Sequence, residues 1–139
     1  MPAAVPRRLR QWFIAHFVID WLVAVPLFIA PRLVLGAFGW ITVDPVSARL
    51  VAAALFAIGG RSYFMRHASL EVYRELLVLK VFWSLAATAG LVWSAIQGAP
   101  ALTWAFAATF AGFFLVWSYW WRRLANSENA LPPVPAVST

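Results

Sequence analysis

Four ionisable residues lie within or beside long apolar segments, and their types could support proton transfer or anion binding. His16 and Asp20 are four residues apart in the first apolar segment, so a helix would place both on one face. Arg61 and Lys80 lie in later segments and supply candidate cations. Because a charge at the centre of a bilayer costs roughly 2.5–3.5 kcal/mol, we expect Asp20 to pair with a cation or with His16.

This predicted polar cluster of His16, Asp20, Arg61 and Lys80 has two interpretations. In the functional one, it forms a polar pocket that binds anions or carries protons. In the structural one, a buried ion pair holds the helices together while Lys80 and Arg61 extend their charges towards the membrane surface. Candidates to line a cavity share the Lys80 face of the third apolar segment, although such residues also serve close helix packing. They are Tyr73, Ser84 and Ser94.

The sequence indicates neither a cofactor nor a metal site. His16 lies inside an apolar segment whereas His67 lies in a connection, so the pair does not suit a haem held by two histidines. Glu71 and Glu75 are interpreted as a hydrated helix start, and the absence of cysteine excludes thiolate ligands. No nucleotide-binding or catalytic fingerprint is present, so the sequence names no reaction and favours a role other than catalysis.

Composition places the chain in a lipid environment. Hydrophobic residues make up 63% of the 139 residues and charged residues only 12%, which is too apolar for an ordinary soluble domain. The net charge of +6 comes from short arginine clusters between apolar runs, which predicts contact with membrane lipids and no nucleic-acid partner. A homo-oligomer or a membrane-protein partner are further alternatives.

We predict an all-α, integral membrane four-helix bundle formed by a single domain of residues 1–124. The predicted spans are about 12–30, 45–65, 72–97 and 101–122. Residues 32–43 are too short and glycine-broken for a span, and form an interfacial or re-entrant segment. Residues 125–139 are rich in proline and small polar residues, and are expected to form a disordered cytoplasmic tail.

Local signals mark the helix starts and one close helix contact. Asp44 followed by Pro45 is typical of a capped helix start, and Ser69 is positioned to cap the third helix. Gly59 and Gly60 weaken the second helix intrinsically but let a neighbouring helix approach closely.

Arginine placement predicts the orientation of the bundle. Arg32 and Arg49 lie on one side, and eight arginines lie on the other. Those eight are Arg7, Arg8, Arg10, Arg61, Arg66, Arg74, Arg122 and Arg123. Both termini are therefore predicted to be cytoplasmic, with Trp117, Tyr119, Trp120 and Trp121 forming an aromatic belt at that interface. The preference for arginine over lysine is typical of a GC-rich bacterial gene, which indicates the bacterial inner membrane.

The layout resembles the small DoxX-like membrane proteins across residues 12–122. The residues that carry this resemblance are the segment VPLFIAPRL, the glycine-containing stretch GAFGW, and Asp44-Pro45 with Arg49 leading into ARLVAAALFAIGG. The resemblance implies a compact accessory component of the membrane, in some cases associated with quinone-linked redox systems.

Three functions follow as hypotheses. The leading one is a binding, accessory or assembly component without a tightly held cofactor. The second is a small proton-coupled transporter that uses His16 and Asp20. The third is a lipid- or quinone-modifying membrane enzyme, which would need a lateral opening near the basic end of the bundle.

Overall fold

The computed structural model describes residues 4–129, with the side chains of residues 127–129 left out of the description. This part of the chain is all-helical and contains five helices. They are α1 (Arg7–Ile29), α2 (Pro31–Ala37), α3 (Pro45–Phe64), α4 (Leu70–Ile96) and α5 (Leu102–Asn129). The four long helices agree with the four predicted apolar segments, and short α2 begins the stretch between the first two.

Three helices, α1, α4 and α5, are long and apolar enough to cross a membrane. Each contains a window of high mean hydropathy, most of which is not buried inside the protein, as suits helices that face lipid. Helix α3, which has 20 residues and carries Arg49 and Arg61, is not among these three. The chain is thus consistent with a membrane protein.

The four long helices form two antiparallel pairs. Helix α3 runs back along α1, and small residues of α3 such as Ala48 and Ala52 meet Ala24 and Leu27 in a tight contact. Helix α5 runs back along α4 after a turn at Gly98, whose φ of +94° suits a residue without a side chain.

Helix α1 joins the two pairs at the end of the bundle where most arginines lie, which we call the arginine-rich end. In addition to the contact between α1 and α3, a hydrophobic core at this end packs the start of α1 against the start of α4 and the end of α5. Its buried members are Leu9, Phe13, Tyr73, Leu76, Leu77, Trp117, Trp120 and Leu124. At the opposite end, the loop after α2 contacts the α4–α5 turn, where Gly39 lies against Pro100.

Two predicted details of the helix ends differ from the structure. Ser69 occupies the N-cap of α4, but its side chain makes no capping hydrogen bond. Helix α5 continues beyond the predicted span of about 101–122 to Asn129, so residues 125–129 of the predicted tail are helical. Leu124 explains part of this extension because it is buried in the core at the arginine-rich end. The rest of the predicted tail, residues 130–139, lies outside the described residues.

Asp44 caps α3 as predicted. Its carboxylate accepts hydrogen bonds from the backbone N–H of Val46 at 3.0 Å and of Ser47 at 3.2 Å, and also from the Ser47 hydroxyl. The Ser47 hydroxyl, followed by these two backbone groups, holds the pKa of Asp44 below its ordinary value of 3.8. The ionised carboxylate therefore stabilises the start of α3.

We expect Asp44→Ala to lower the melting temperature of the purified protein at neutral pH. Because the folded pKa is depressed, the contribution of Asp44 is complete above its unfolded pKa and declines as the pH falls through the folded pKa. The difference in melting temperature between wild type and variant should therefore be steady from about pH 5 to pH 7 and shrink below about pH 4. Thermal unfolding followed by circular dichroism measures this difference, and a gap that widens in acid would contradict the assignment.

Candidate functional site

The structure brings three of the predicted polar residues together. His16 and Asp20 lie one turn apart on α1, and the His16 Nδ1 atom is 2.9 Å from Asp20 Oδ2. Lys80 reaches across from α4, with its Nζ atom 3.1 Å from the same His16 nitrogen. We call His16, Asp20 and Lys80 the buried triad.

The triad is closed off from the surroundings of the protein. The exposed fractions of its residues are 2% for His16, 5% for Asp20 and 1% for Lys80. Each ionisable group is thus surrounded by protein along the middle of the bundle. A charge so placed is stable only when neighbouring groups compensate for its lost hydration.

Aromatic rings supply part of that compensation. The Lys80 ammonium lies 5.0 Å from the ring centroid of Phe13 and 4.9 Å from that of Trp117, within the range of a cation–π interaction. The His16 ring meets Phe113 and Trp117 edge to face, at centroid distances of 4.7 and 5.2 Å. These rings also fill the space around the triad, so they exclude water while they stabilise the positive charge.

A single nitrogen, His16 Nδ1, lies within reach of both other members of the triad. When this nitrogen carries a proton, it can donate to the Asp20 carboxylate but cannot accept from Lys80. When it lacks the proton, it can accept a hydrogen bond from Lys80 but has nothing to donate to Asp20. The two contacts are therefore alternatives for one hydrogen bond, and the position of a proton selects between them.

The Asp20 carboxylate is only partly compensated. Its Oδ2 atom is buried, and within the described residues it receives no hydrogen bond of acceptable geometry, although His16 Nδ1 is at ion-pair distance. The short distance gives electrostatic attraction without a well-directed hydrogen bond. A buried acceptor in this state lowers the stability of the fold.

Gly59 on α3 provides the surface against which Asp20 lies. A Cβ atom at position 59 would be 2.7 Å from the Asp20 Cβ and 2.8 Å from Asp20 Oδ2. The neighbouring Gly60 faces Trp21 at ordinary contact distance. The predicted close approach at Gly59-Gly60 is confirmed, and α1 is the helix that makes it.

The other predicted site residues are placed differently. Arg61 is exposed, and within residues 4–129 its side chain makes no ion pair or hydrogen bond with Asp20, so it lies outside the triad. Its position on α3 turns the long side chain away from α1, whereas Gly59 and Ser62 are buried. The structure thus separates Arg61 from the three residues with which it was grouped.

The three candidates for cavity lining do not share one environment. Tyr73 is buried against Phe13, and its hydroxyl donates to the Arg66 carbonyl at 3.1 Å. Ser84 is buried but donates to the Lys80 carbonyl of its own helix at 2.7 Å. Ser94 is exposed and donates to the Gly90 carbonyl at 2.9 Å. Both serine hydroxyls are therefore satisfied by the α4 backbone.

Sequence reasoning missed the aromatic enclosure of the triad. Trp117 was assigned to the interfacial belt, but it is fully buried, and Trp120 is 5% exposed. Tyr119 and Trp121 remain exposed, as a belt requires. The missed signal was spacing: Phe113 and Trp117 are four residues apart on α5, so one face carries both rings.

His67 lies apart from the triad, exposed in the connection between α3 and α4. Within the described part of the chain, no group of three histidine, cysteine or carboxylate side chains is arranged to hold a metal ion. The chemistry that the triad can support directly is proton transfer among its own members.

Comparisons with protein-family models, with curated proteins and with solved structures find no match to this chain. The resemblance to DoxX-like proteins is therefore neither confirmed nor refuted. The triad has to be interpreted from its own geometry.

We expect Gly59→Ala to destabilise the protein by about 1–3 kcal/mol, because the new methyl group overlaps Asp20 and forces α1 and α3 apart. Gly112→Ala on α5 is the matched control, since nothing lies within 4 Å of a Cβ at that position. The control should be neutral or slightly stabilising because alanine favours the helix. Thermal unfolding in one detergent would compare the two variants, and equal melting temperatures would refute the contact between Gly59 and Asp20.

Proposed function

We propose that this chain is a small four-span protein of the bacterial inner membrane that acts as a binding or assembly component without a tightly held cofactor. The observation that carries the proposal is the closure of the triad, in which Lys80 and Asp20 both contact His16 and aromatic rings surround the Lys80 ammonium. Such an arrangement serves the packing of helices, leaving the outer helix faces as the surfaces that meet partners and lipids.

The assignment of α3 as a fourth span is supported by its length and packing. Its 20 residues extend about 30 Å, which matches the hydrocarbon thickness of a bilayer. Arg49 and Arg61 lie towards its two ends, from which arginine side chains can reach the membrane surfaces. Helix α3 also packs along α1, which is apolar enough to span, and this packing supports a similar depth for the two helices.

The proposed orientation places the arginine-rich end, and with it both termini, in the cytoplasm. Eight arginines lie towards this end, whereas Arg32 and Arg49 lie towards the other. Positively charged residues beside membrane spans are retained on the cytoplasmic side.

A proton-coupled transporter is the second candidate, and the Asp20 carboxylate favours it. Lys80, His16 and Asp20 form a continuous row of titratable groups, and the buried Asp20 Oδ2 lacks a hydrogen bond within the described residues. This function requires a water path to the triad during the transport cycle.

The four-span topology can be tested with single cysteines, because the natural chain has none. We expect cysteines at His67 and Asn126 to be labelled from the cytoplasmic side by an impermeant maleimide, and those at Thr42 and Gln97 from the opposite side. All four native residues are exposed; Thr42, His67 and Gln97 lie in connections between the long helices, and Asn126 lies in the last turns of α5. Labelling of positions 42 and 67 from the same side would contradict the assignment of α3 as a span. Labelling of positions 97 and 126 from the same side would contradict that of α5.

The structural role of the triad predicts a specific pattern of stability. Asp20→Asn should destabilise the protein by roughly 3–5 kcal/mol because it leaves the Lys80 ammonium buried without a carboxylate. Asp20→Asn combined with Lys80→Met should recover most of this loss, since no buried charge remains. Glu75→Gln, at an exposed acid of α4, is the control and should leave stability unchanged. Thermal unfolding of the four proteins in one detergent gives the comparison.

The same double variant separates the two candidate functions. For an assembly component, the folded double variant should enter the same complexes as wild type when mildly solubilised membranes are resolved by native electrophoresis. A wild-type chain that migrates there only as a monomer would contradict the assembly role. For a proton-coupled transporter, the double variant should be stable while proton movement in reconstituted vesicles, present in wild type, is abolished.

A further inference from the structure

Two shallow grooves run side by side along the outer face of α5 near the arginine-rich end. They are separated by a ridge of Leu115, Tyr119 and Arg123, which are spaced four residues apart and therefore lie on one helix face. The first groove is completed by α5 itself, from Phe114 and Ser118 to Arg122. The second lies between α5 and the start of α1, where Arg8 and Trp12 complete it.

The charges of both grooves are concentrated at one end of the ridge. Arg122 lines the first groove, Arg8 lines the second, and Arg123 lines both. Arg8 and Arg122 are exposed, and no carboxylate lines either groove within the described side chains. Three guanidinium groups around one ridge form a positive site, and guanidinium groups bind phosphate through paired, charge-assisted hydrogen bonds.

Arg123 is held in place by the ridge. Its Nη1 atom donates to the Tyr119 hydroxyl at 2.7 Å, and its guanidinium carbon lies 5.5 Å from the centroid of the Trp120 ring. These contacts restrict the side chain before any ligand arrives. A preoriented cation loses less conformational entropy on binding than a freely moving one.

Most of the remaining ridge and groove surface is apolar, with Ser118 and Asn126 as polar residues of the first groove. Leu115 is 67% exposed and Trp12 in the second groove is 41% exposed, whereas Phe114 lines the first groove. Leu115 precedes Arg123 by eight residues, or about 12 Å along the helix axis. The surface thus changes from cationic to apolar along the direction in which a phospholipid changes from headgroup to acyl chain.

We propose that this ridge and its two grooves form a binding site for one anionic phospholipid. The phosphodiester lies among Arg8, Arg122 and Arg123, and one acyl chain occupies each groove beside Leu115. Charge complementarity selects an anionic headgroup, because a choline group would bring its own positive charge close to the three arginines. The proposal rests on the membrane placement proposed above, but it does not depend on the role of the triad.

Native mass spectrometry of the detergent-solubilised protein can test the site with phosphatidylglycerol and phosphatidylcholine as probes. We expect wild type to retain one phosphatidylglycerol in preference to phosphatidylcholine. Arg8→Gln combined with Arg122→Gln should weaken phosphatidylglycerol retention about tenfold or more, since each basic residue near anionic lipid contributes about a fivefold factor. Leu115→Trp should also weaken it, by filling the apolar part of the grooves without changing the charge.

The matched control is Arg7→Gln combined with Arg61→Gln. It removes two exposed arginines near the same end of the bundle that line neither groove. Retention close to wild type in this control would support a defined site, whereas an equal loss would overturn it in favour of general electrostatic attraction. Equal retention of phosphatidylcholine, or full displacement by millimolar inorganic phosphate, would also overturn it. Circular dichroism should show unchanged helix content, and the cysteine labelling pattern tests membrane placement independently.

Discussion

The fold depends on compensating for three ionisable side chains inside an otherwise apolar bundle. His16 and Asp20 come from α1 and Lys80 from α4, so neither helix can satisfy its buried groups alone. The compensation requires short distances between the three side chains and their neighbours. Gly59 lets α3 approach Asp20 closely because it has no side chain, and the rings of Phe13 and Trp117 lie close to the Lys80 ammonium. One electrostatic requirement on α1 thus constrains residues on α3, α4 and α5.

The compensated charges help to specify one arrangement of the helices. Apolar side chains close the arginine-rich end, the triad lies further along α1, and Gly39 meets Pro100 at the opposite end. Lipid offers apolar surfaces much like those of the protein, so apolar contacts alone distinguish poorly between alternative helix arrangements. A buried charge that finds its counterpart in only one arrangement supplies that distinction, which is consistent with a protein whose outer faces serve binding.

Sequence reasoning predicted the features that depend on local patterns. The four long helices follow from the lengths of the apolar runs, and the cap at Asp44 from a carboxylate preceding proline. Pairing of Asp20 follows from the cost of an isolated charge, which does not depend on the details of the fold. In contrast, the exposure of Arg61 and the burial of Trp117 depend on how each helix is rotated towards its neighbours. Helical spacing groups residues on a face, but only the packed bundle determines which face points inward.

The separation of the triad along the chain has a consequence for biosynthesis. Lys80 follows His16 by 64 residues, so α1 leaves the ribosome well before the ammonium that it needs has been made. During that interval the Asp20 carboxylate has no cation from α4 to compensate for its lost hydration. Completion of α4 ends this interval. The buried triad can therefore form only after α4 has been synthesised, so the final packing of α1 depends on a helix that is made later.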